Sequence, residues 1–316
     1  MNAWLLLLTP LLVLPIVTLF KFVGCSSFSS ADAEPVDNLR YLKYLLGDPK
    51  DVAIQKNPGV HPKKADIIGY WRLVDAEGNP AKDEVGFQNG EYKSGKAISV
   101  VGVDDSETAP GIFLTGQPSL VKSDPISTCR SFIGGHVVIP FKSGLYSTAF
   151  TVEAWVEALW TPGTKFTHSL FTAGGFFRAE FDQTSAFHGF SLSANAEGRW
   201  DATVFPHVGP LFSSQLPLIP RPGPTHVALT VAAPDPVSSK QQVSLFVDGK
   251  ITAIGSVGIY SLPNGGHLFI GLHPSNPENV DGGGTHPILS KVQDVVLHRK
   301  ALSADEIENH ATFKTS

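Results

Sequence analysis

The sequence predicts an all-β fold, and three observations lead there. The chain has 30 glycines and 24 prolines in 316 residues against only 17% charged residues, a composition of many turns and little solvent-facing helix. Val243 to Val247 alternates along its length and then meets Asp248-Gly249, a two-residue hairpin signal. Val292 to Leu297 is a short β-branched run suited to a buried strand. Ser303 with Glu306 three residues later forms a capping box, so a short helical turn is expected after that strand.

The N-terminus reads differently. Trp4 to Phe20 is almost continuously apolar, at about 17 residues the lower limit for spanning a bilayer. Pro10 and Pro15 inside it favour the apolar core of an export signal. Phe22-Val23-Gly24-Cys25 resembles a bacterial lipobox, which implies lipidation at Cys25. No basic residue precedes the apolar run and Lys21 lies inside the expected cleavage region, so a retained signal anchor and an ordinary cleaved signal stay open. All three readings place the body outside the cytoplasm, at the cell envelope or surface, with a membrane link through the N-terminus. Residues 1–25 are thus a signal peptide or anchor. Residues 26–66 are a tether with a possible short helix through Leu46, and 67–312 form the folded domain.

Along the body, strand-like segments recur in order. They are Gly69-Tyr70-Trp71-Arg72-Leu73, Gly134 to Pro140, Phe150-Thr151-Val152-Glu153-Ala154-Trp155-Val156, Gly189 to Leu192 with Gly198-Arg199, Thr225 to Thr230, and Leu268 to Gly271. Together with Asp83 to Tyr92 and the ending from Val292 to Ile307, they resemble laminin-G-like domains of the concanavalin A-like lectin/glucanase superfamily, over roughly residues 67–310. The resemblance implies a two-sheet antiparallel jelly-roll sandwich in which the first and last strands pair or neighbour each other. Two stretches, 99–130 and 174–188, are surplus to the strands that match, and long loops on a rigid sandwich are where specificity sits.

The resemblance implies a non-catalytic, extracytoplasmic recognition module for a glycan or a cell-surface or envelope protein. Aromatic and polar side chains suited to stacking on sugar are Trp160, Phe176, Phe177, His188 and Trp200. The alternatives are a glycoside hydrolase-like enzyme using Glu153 and Glu157, or a structural envelope protein. Related glucanases carry Glu-x-Asp-x-Glu on one strand; here Trp155 replaces the middle acid, which leaves two solvent-facing glutamates with nothing to set their roles. The resemblance also implies a structural calcium ion held by Asp83 and Asp294, although Gln293 stands where the family has a second acid. The eleven histidines show no helical zinc spacing and read as surface-loop residues. A net charge of -5 without a basic stripe gives no reason to expect a nucleic-acid partner.

Overall fold

The computed structural model describes residues 66–85, 88–94, 112–121, 124, 127–159, 168–173, 189–195, 199–205, 223–260, 262–263, 265–272 and 288–312, with backbone alone for 112, 168, 176–178, 185–187 and 212–215. The chain divides into units 1–36 and 37–316, and the described residues belong to the second. The N-terminal segment with Cys25, and the short helix expected before Leu46, lie outside the described residues.

The strands run β1 (Ile67–Trp71), β2 (Glu91–Lys93), β3 (Ile112–Pro118), β4 (Thr128–Ile133), β5 (His136–Ile139), β6 (Phe150–Ala158), β7 (His168–Ala173), β8 (Phe176–Arg178), β9 (Ser185–Phe187), β10 (Gly189–Ala194), β11 (Trp200–Phe205), β12 (Phe212–Gln215), β13 (Thr225–Val231), β14 (Gln241–Val247), β15 (Lys250–Val257), β16 (Leu268–Ile270) and β17 (Leu289–His298), followed by helix α1 (Ala304–Thr312). All but β8 and β9 form two antiparallel sheets, a jelly-roll-like sandwich. The eight-stranded sheet runs β15-β14-β13-β6-β17-β4-β3, with β1 also on β17; the seven-stranded sheet runs β12-β11-β10-β7-β16-β5-β2. β4 pairs with β17 along Leu289–Val292 and β1 along Val295–His298, so the first and last strands are neighbours.

Side-chain alternation makes the core. On β6, Phe150, Val152, Ala154 and Val156 face the other sheet, joined by Val227, Leu229 and Val231 of β13 and Val292, Val295 and Leu297 of β17. The opposite sheet answers with Val137, Phe171, Leu192, Ala202 and Ile270. The alternate set is polar on β7, β10 and β11, where Thr172, Ser191 and Thr203 are register partners and Ser169, Ser193 and Asp201 form the next row, and turns apolar at Phe269 of β16 and Val138 of β5.

The stretch 99–130, expected to be a surplus loop, ends in framework. Residues 112–118 are β3, paired with β4 at the sheet's edge. Leu120 and Val121 then pack with Ile67, Tyr70, Cys129, Trp155 and Val296 on the outer face of the eight-stranded sheet. A buried amide ties this plug down: the Leu120 N–H donates to Gln293 Oε1 at 2.7 Å, and Gln293 Nε2 donates to Ser127 Oγ at 3.2 Å. The stretch 174–188 contains β8 and β9, which pair with each other as a separate two-stranded sheet.

The capping box forms as expected. Ser303 Oγ accepts the Glu306 N–H at 3.2 Å and Glu306 Oε2 accepts the Ser303 N–H at 2.8 Å. Leu302 and Ile307 seat α1 on Ala228 and Phe246, over the outer face of the eight-stranded sheet. The Asp248-Gly249 turn, with φ of 48° and 79°, has the positive dihedrals of a two-residue hairpin. A Cβ at Gly249 would lie 2.9 Å from the Glu308 Cα, so this glycine also admits the helix.

Candidate functional site

A cleft of about 610 Å³ opens where the edges of the two sheets meet. Glu91 and Tyr92 come from β2, Phe113 and Thr115 from β3, Arg130 from β4, and Glu77, Gly78, Asn79 and Pro80 from the turn between β1 and β2. Alternation places Arg130 on the face that Phe132 turns to the core, at the open end of the sandwich. Its guanidinium carbon lies 3.7 Å from the centre of the Tyr92 ring, a cation–π contact. Tyr92, Phe113 and Phe132 continue as an edge-to-face series with centroids 5.3 Å apart at each step. Asp75 braces both: its carboxylate accepts the Tyr92 hydroxyl at 2.9 Å, and its carbonyl accepts Arg130 Nη2.

Arg130 is only 2% exposed, and its Nε has no hydrogen-bond partner among the described residues. Burial pushes this guanidinium below its usual pKa, against the opposing pull of Tyr92, Asp75 and Glu77. Burial likewise raises the Tyr92 phenol, so the ring stays a neutral hydroxyl donor. The cleft thus joins an apolar ring surface, a partly unsatisfied planar cation, two carboxylates and an amide, the mixture by which proteins grip polyhydroxylated ligands.

The two acids expected to hold calcium do something else. Asp83 Oδ1 accepts the N–H groups of Tyr70 at 2.9 Å and Val85 at 3.1 Å, and Oδ2 accepts that of Gln88 at 2.8 Å. Asp294 accepts the Tyr70 hydroxyl at 2.7 Å and Gln293 Nε2 at 2.9 Å, with Arg72 Nε 3.8 Å away. Donors and a cation surround these oxygens, where calcium needs acceptors alone. The residues do not fit the ion. Gln293 is the reason the second acid is missing: its amide anchors the plug through one end and Asp294 through the other. Asp294 itself, with φ of 53°, sits in a bulge where β17 shifts register against β6.

Burial pushes the Asp294 carboxyl up to about 6, against the opposing pull of Arg72 and the Tyr70 hydroxyl. The folded protein therefore holds this proton more tightly than the unfolded chain, whose carboxyl titrates near 3.9. Stability contributed by this group is complete below about pH 4 and declines as pH rises to about 6, by on the order of 3 kcal/mol. In urea titrations from pH 4 to 7, Asp294→Asn is expected to remove that decline. A variant with the wild-type slope over this window contradicts the assignment.

The glutamates of β6 were expected to face solvent. Glu153 is instead 0% exposed. Its carboxylate receives His298 Nε2 at 2.8 Å and His310 Nδ1 at 2.8 and 2.9 Å, and His226 Nε2 lies 3.2 Å away. Register explains the convergence. Glu153 is opposite Ala228 on β13 and Val296 on β17, while His226 is opposite Trp155 and His298 opposite Thr151. One histidine therefore stands a step to each side on the flanking strands, and His310 descends from α1. Burial alone would raise the carboxyl; the pull of His310 and the contacts of the three imidazoles outweigh it and hold Glu153 well below the usual carboxylate range. Glu157, farther along the same face, meets Lys291 Nζ at 2.7 Å. A carboxylate closed to solvent has no access to a glycosidic oxygen, so Glu153 and Glu157 do not make the open pair a hydrolase needs.

The other candidates scatter. Trp200 is 4% exposed and lies in the core with Ala202 and Val204, so it offers no stacking face. Trp160 and His188 lie outside the described residues, as do the side chains of Phe176 and Phe177, whose backbones pair with Phe187 and Ala186. Neither the cleft nor the Glu153 cluster was anticipated. For the cluster a signal existed: Glu153 shares its strand face with Trp155, and His310 continues the stripe of Ile307 and Ala311 on α1.

Domain 4 of AbnA, a GH43 extracellular arabinanase from Geobacillus stearothermophilus solved with arabinotriose, is similar to the chain at 15% identity and a TM-score of 0.51, covering 78% of this chain and 98% of that one. Trypanosoma rangeli sialidase is similar at 20% identity and a TM-score of 0.49, over 87% of this chain and 36% of that one. The chain therefore spans about a third of the sialidase. No curated protein matches the chain. At these identities the neighbours show the fold alone, and the expectation of a non-catalytic recognition module for a glycan or a protein is corrected to that coarser statement. Residues 133–308, from the end of β4 through most of α1, match the laminin G model of that grouping, and with the two-sheet sandwich this establishes that the chain belongs to the concanavalin A-like lectin/glucanases superfamily.

Proposed function

We propose a glycan-related function exerted by carbohydrate binding in the cleft between β2, β3 and β4. The observation that carries this reading is the lining itself: the Tyr92 and Phe113 rings, buried Arg130 with its unsatisfied Nε, and Asn79, Glu77 and Glu91 around about 610 Å³. That volume lies in the range of small-ligand sites. Sugar C–H faces pack on apolar ring surface, and the carboxylates, the amide and the guanidinium take the hydroxyls. The arabinanase domain supports the reading only as a fold that can hold an oligosaccharide.

The test is a microarray of neutral and acidic oligosaccharides probed with the full chain, followed by calorimetry on the best binder. Asn79→Ala combined with Glu91→Ala removes two cleft groups whose side chains reach solvent. Binding is expected to weaken about tenfold or more, about 1.4 kcal/mol, with an unchanged melting temperature. Absence of binding across the array, or binding that the double variant leaves intact, overturns the proposal.

A further inference from the structure

We propose that Glu153, His226, His298 and His310 form a binding site for a divalent transition-metal ion of the zinc class, which ties the C-terminal helix to the eight-stranded sheet. The donor atoms of Glu153, His298 and His310 all lie within 4.8 Å of one another, and these three residues and His226 are 0% exposed. They come from β6, β13, β17 and α1, so an ion among them cross-links four elements.

The donor set selects the ion. Three imidazole nitrogens and one carboxylate suit zinc, cobalt or nickel and disfavour calcium and magnesium, which take oxygen. Four protein ligands without an open position describe a structural site. Tetrahedral ligands at zinc distances sit about 3.3 Å apart. Glu153 already stands 2.8 Å from His298 and His310 and 3.2 Å from His226. The donor atoms of Glu153, His298 and His310 need draw together by at most about 1.5 Å to reach that spacing. A second observation points the same way. His226 Nε2 approaches Glu153 without hydrogen-bond geometry and has no other partner among the described residues, although it is wholly buried. A buried polar nitrogen left in that state costs about 1–3 kcal/mol. A metal ion supplies the missing partner.

Purified full chain expressed with added zinc is expected to carry about one ion per chain by elemental mass spectrometry. Replacement by cobalt(II) is expected to give the visible bands of a tetrahedral nitrogen–oxygen site, and chelation to lower the melting temperature by several degrees. His310→Asn keeps a side chain able to donate to Glu153 but cannot bind the ion as imidazole does. It is expected to lose the ion and the chelator sensitivity together. If that variant fails to fold, the cobalt spectrum of the wild type still decides. A metal-free wild type indifferent to chelator, or metal retained equally in His310→Asn, overturns the site and leaves a purely hydrogen-bonded cluster.

Discussion

A chain ending at Lys291 is expected to lose its cooperative fold outright. The segment removed is most of β17, which lies inside the eight-stranded sheet and pairs with β6 along one edge and with β1 and β4 along the other. Val292, Val295, Val296 and Leu297 are each at most 1% exposed. Burying such a side chain contributes about 1.5–3 kcal/mol. Four of them alone rival the total stability of a typical domain, about 5–15 kcal/mol. The truncation also removes Gln293, which anchors the plug over Trp155, and His298 and His310, which hold Glu153. Near-UV circular dichroism and a thermal melt decide the matter. A truncated chain that keeps a wild-type spectrum and a single sharp transition shows that β17 is an appendage.

Much of the framework was legible because it is local. The alternation of Val243 to Val247, the Asp248-Gly249 turn and the Ser303–Glu306 capping box each depend on residues a few positions apart, and each appears where the pattern placed it. Trp200 was legible too: it alternates in phase with Ala202 and Val204 and out of phase with Asp201 and Thr203, the mark of a core side chain. Its aromatic character drew attention to sugar stacking and away from that phase.

The candidate sites were legible only in fragments, for a physical reason. Alternation places Glu153 on the face away from Val152 and Ala154, but it does not say whether that face is wet. That depends on α1, 157 residues away at His310, and on the plug around Leu120. The cleft likewise joins Tyr92 of one sheet edge to Phe113 and Arg130 of the other, a meeting set by closure of the sandwich.

Replacing Glu153 by alanine is the other change with a large expected effect. It removes the one carboxylate from a wholly buried group of three imidazoles. His298 and His310 lose their acceptor and His226 its 3.2 Å contact, in a place closed to solvent. Breaking a buried charged network from one side costs about 3–5 kcal/mol, because the uncompensated partners stay buried. For a domain of this size that corresponds to a fall in melting temperature on the order of 10 °C. Glu153→Gln separates charge from shape. The amide keeps the volume and one acceptor oxygen, so no cavity opens, yet it turns an N–H toward at least one imidazole. The expected order of stability is therefore wild type, then Gln, then Ala, measured by urea denaturation of the full chain at neutral pH. The gap between wild type and Gln reports the charge, and the gap between Gln and Ala reports packing and the lost acceptor. If both variants stay within about 1 kcal/mol of wild type, the median for exposed pairs, the face beneath α1 is open to water and the buried cluster does not exist in solution.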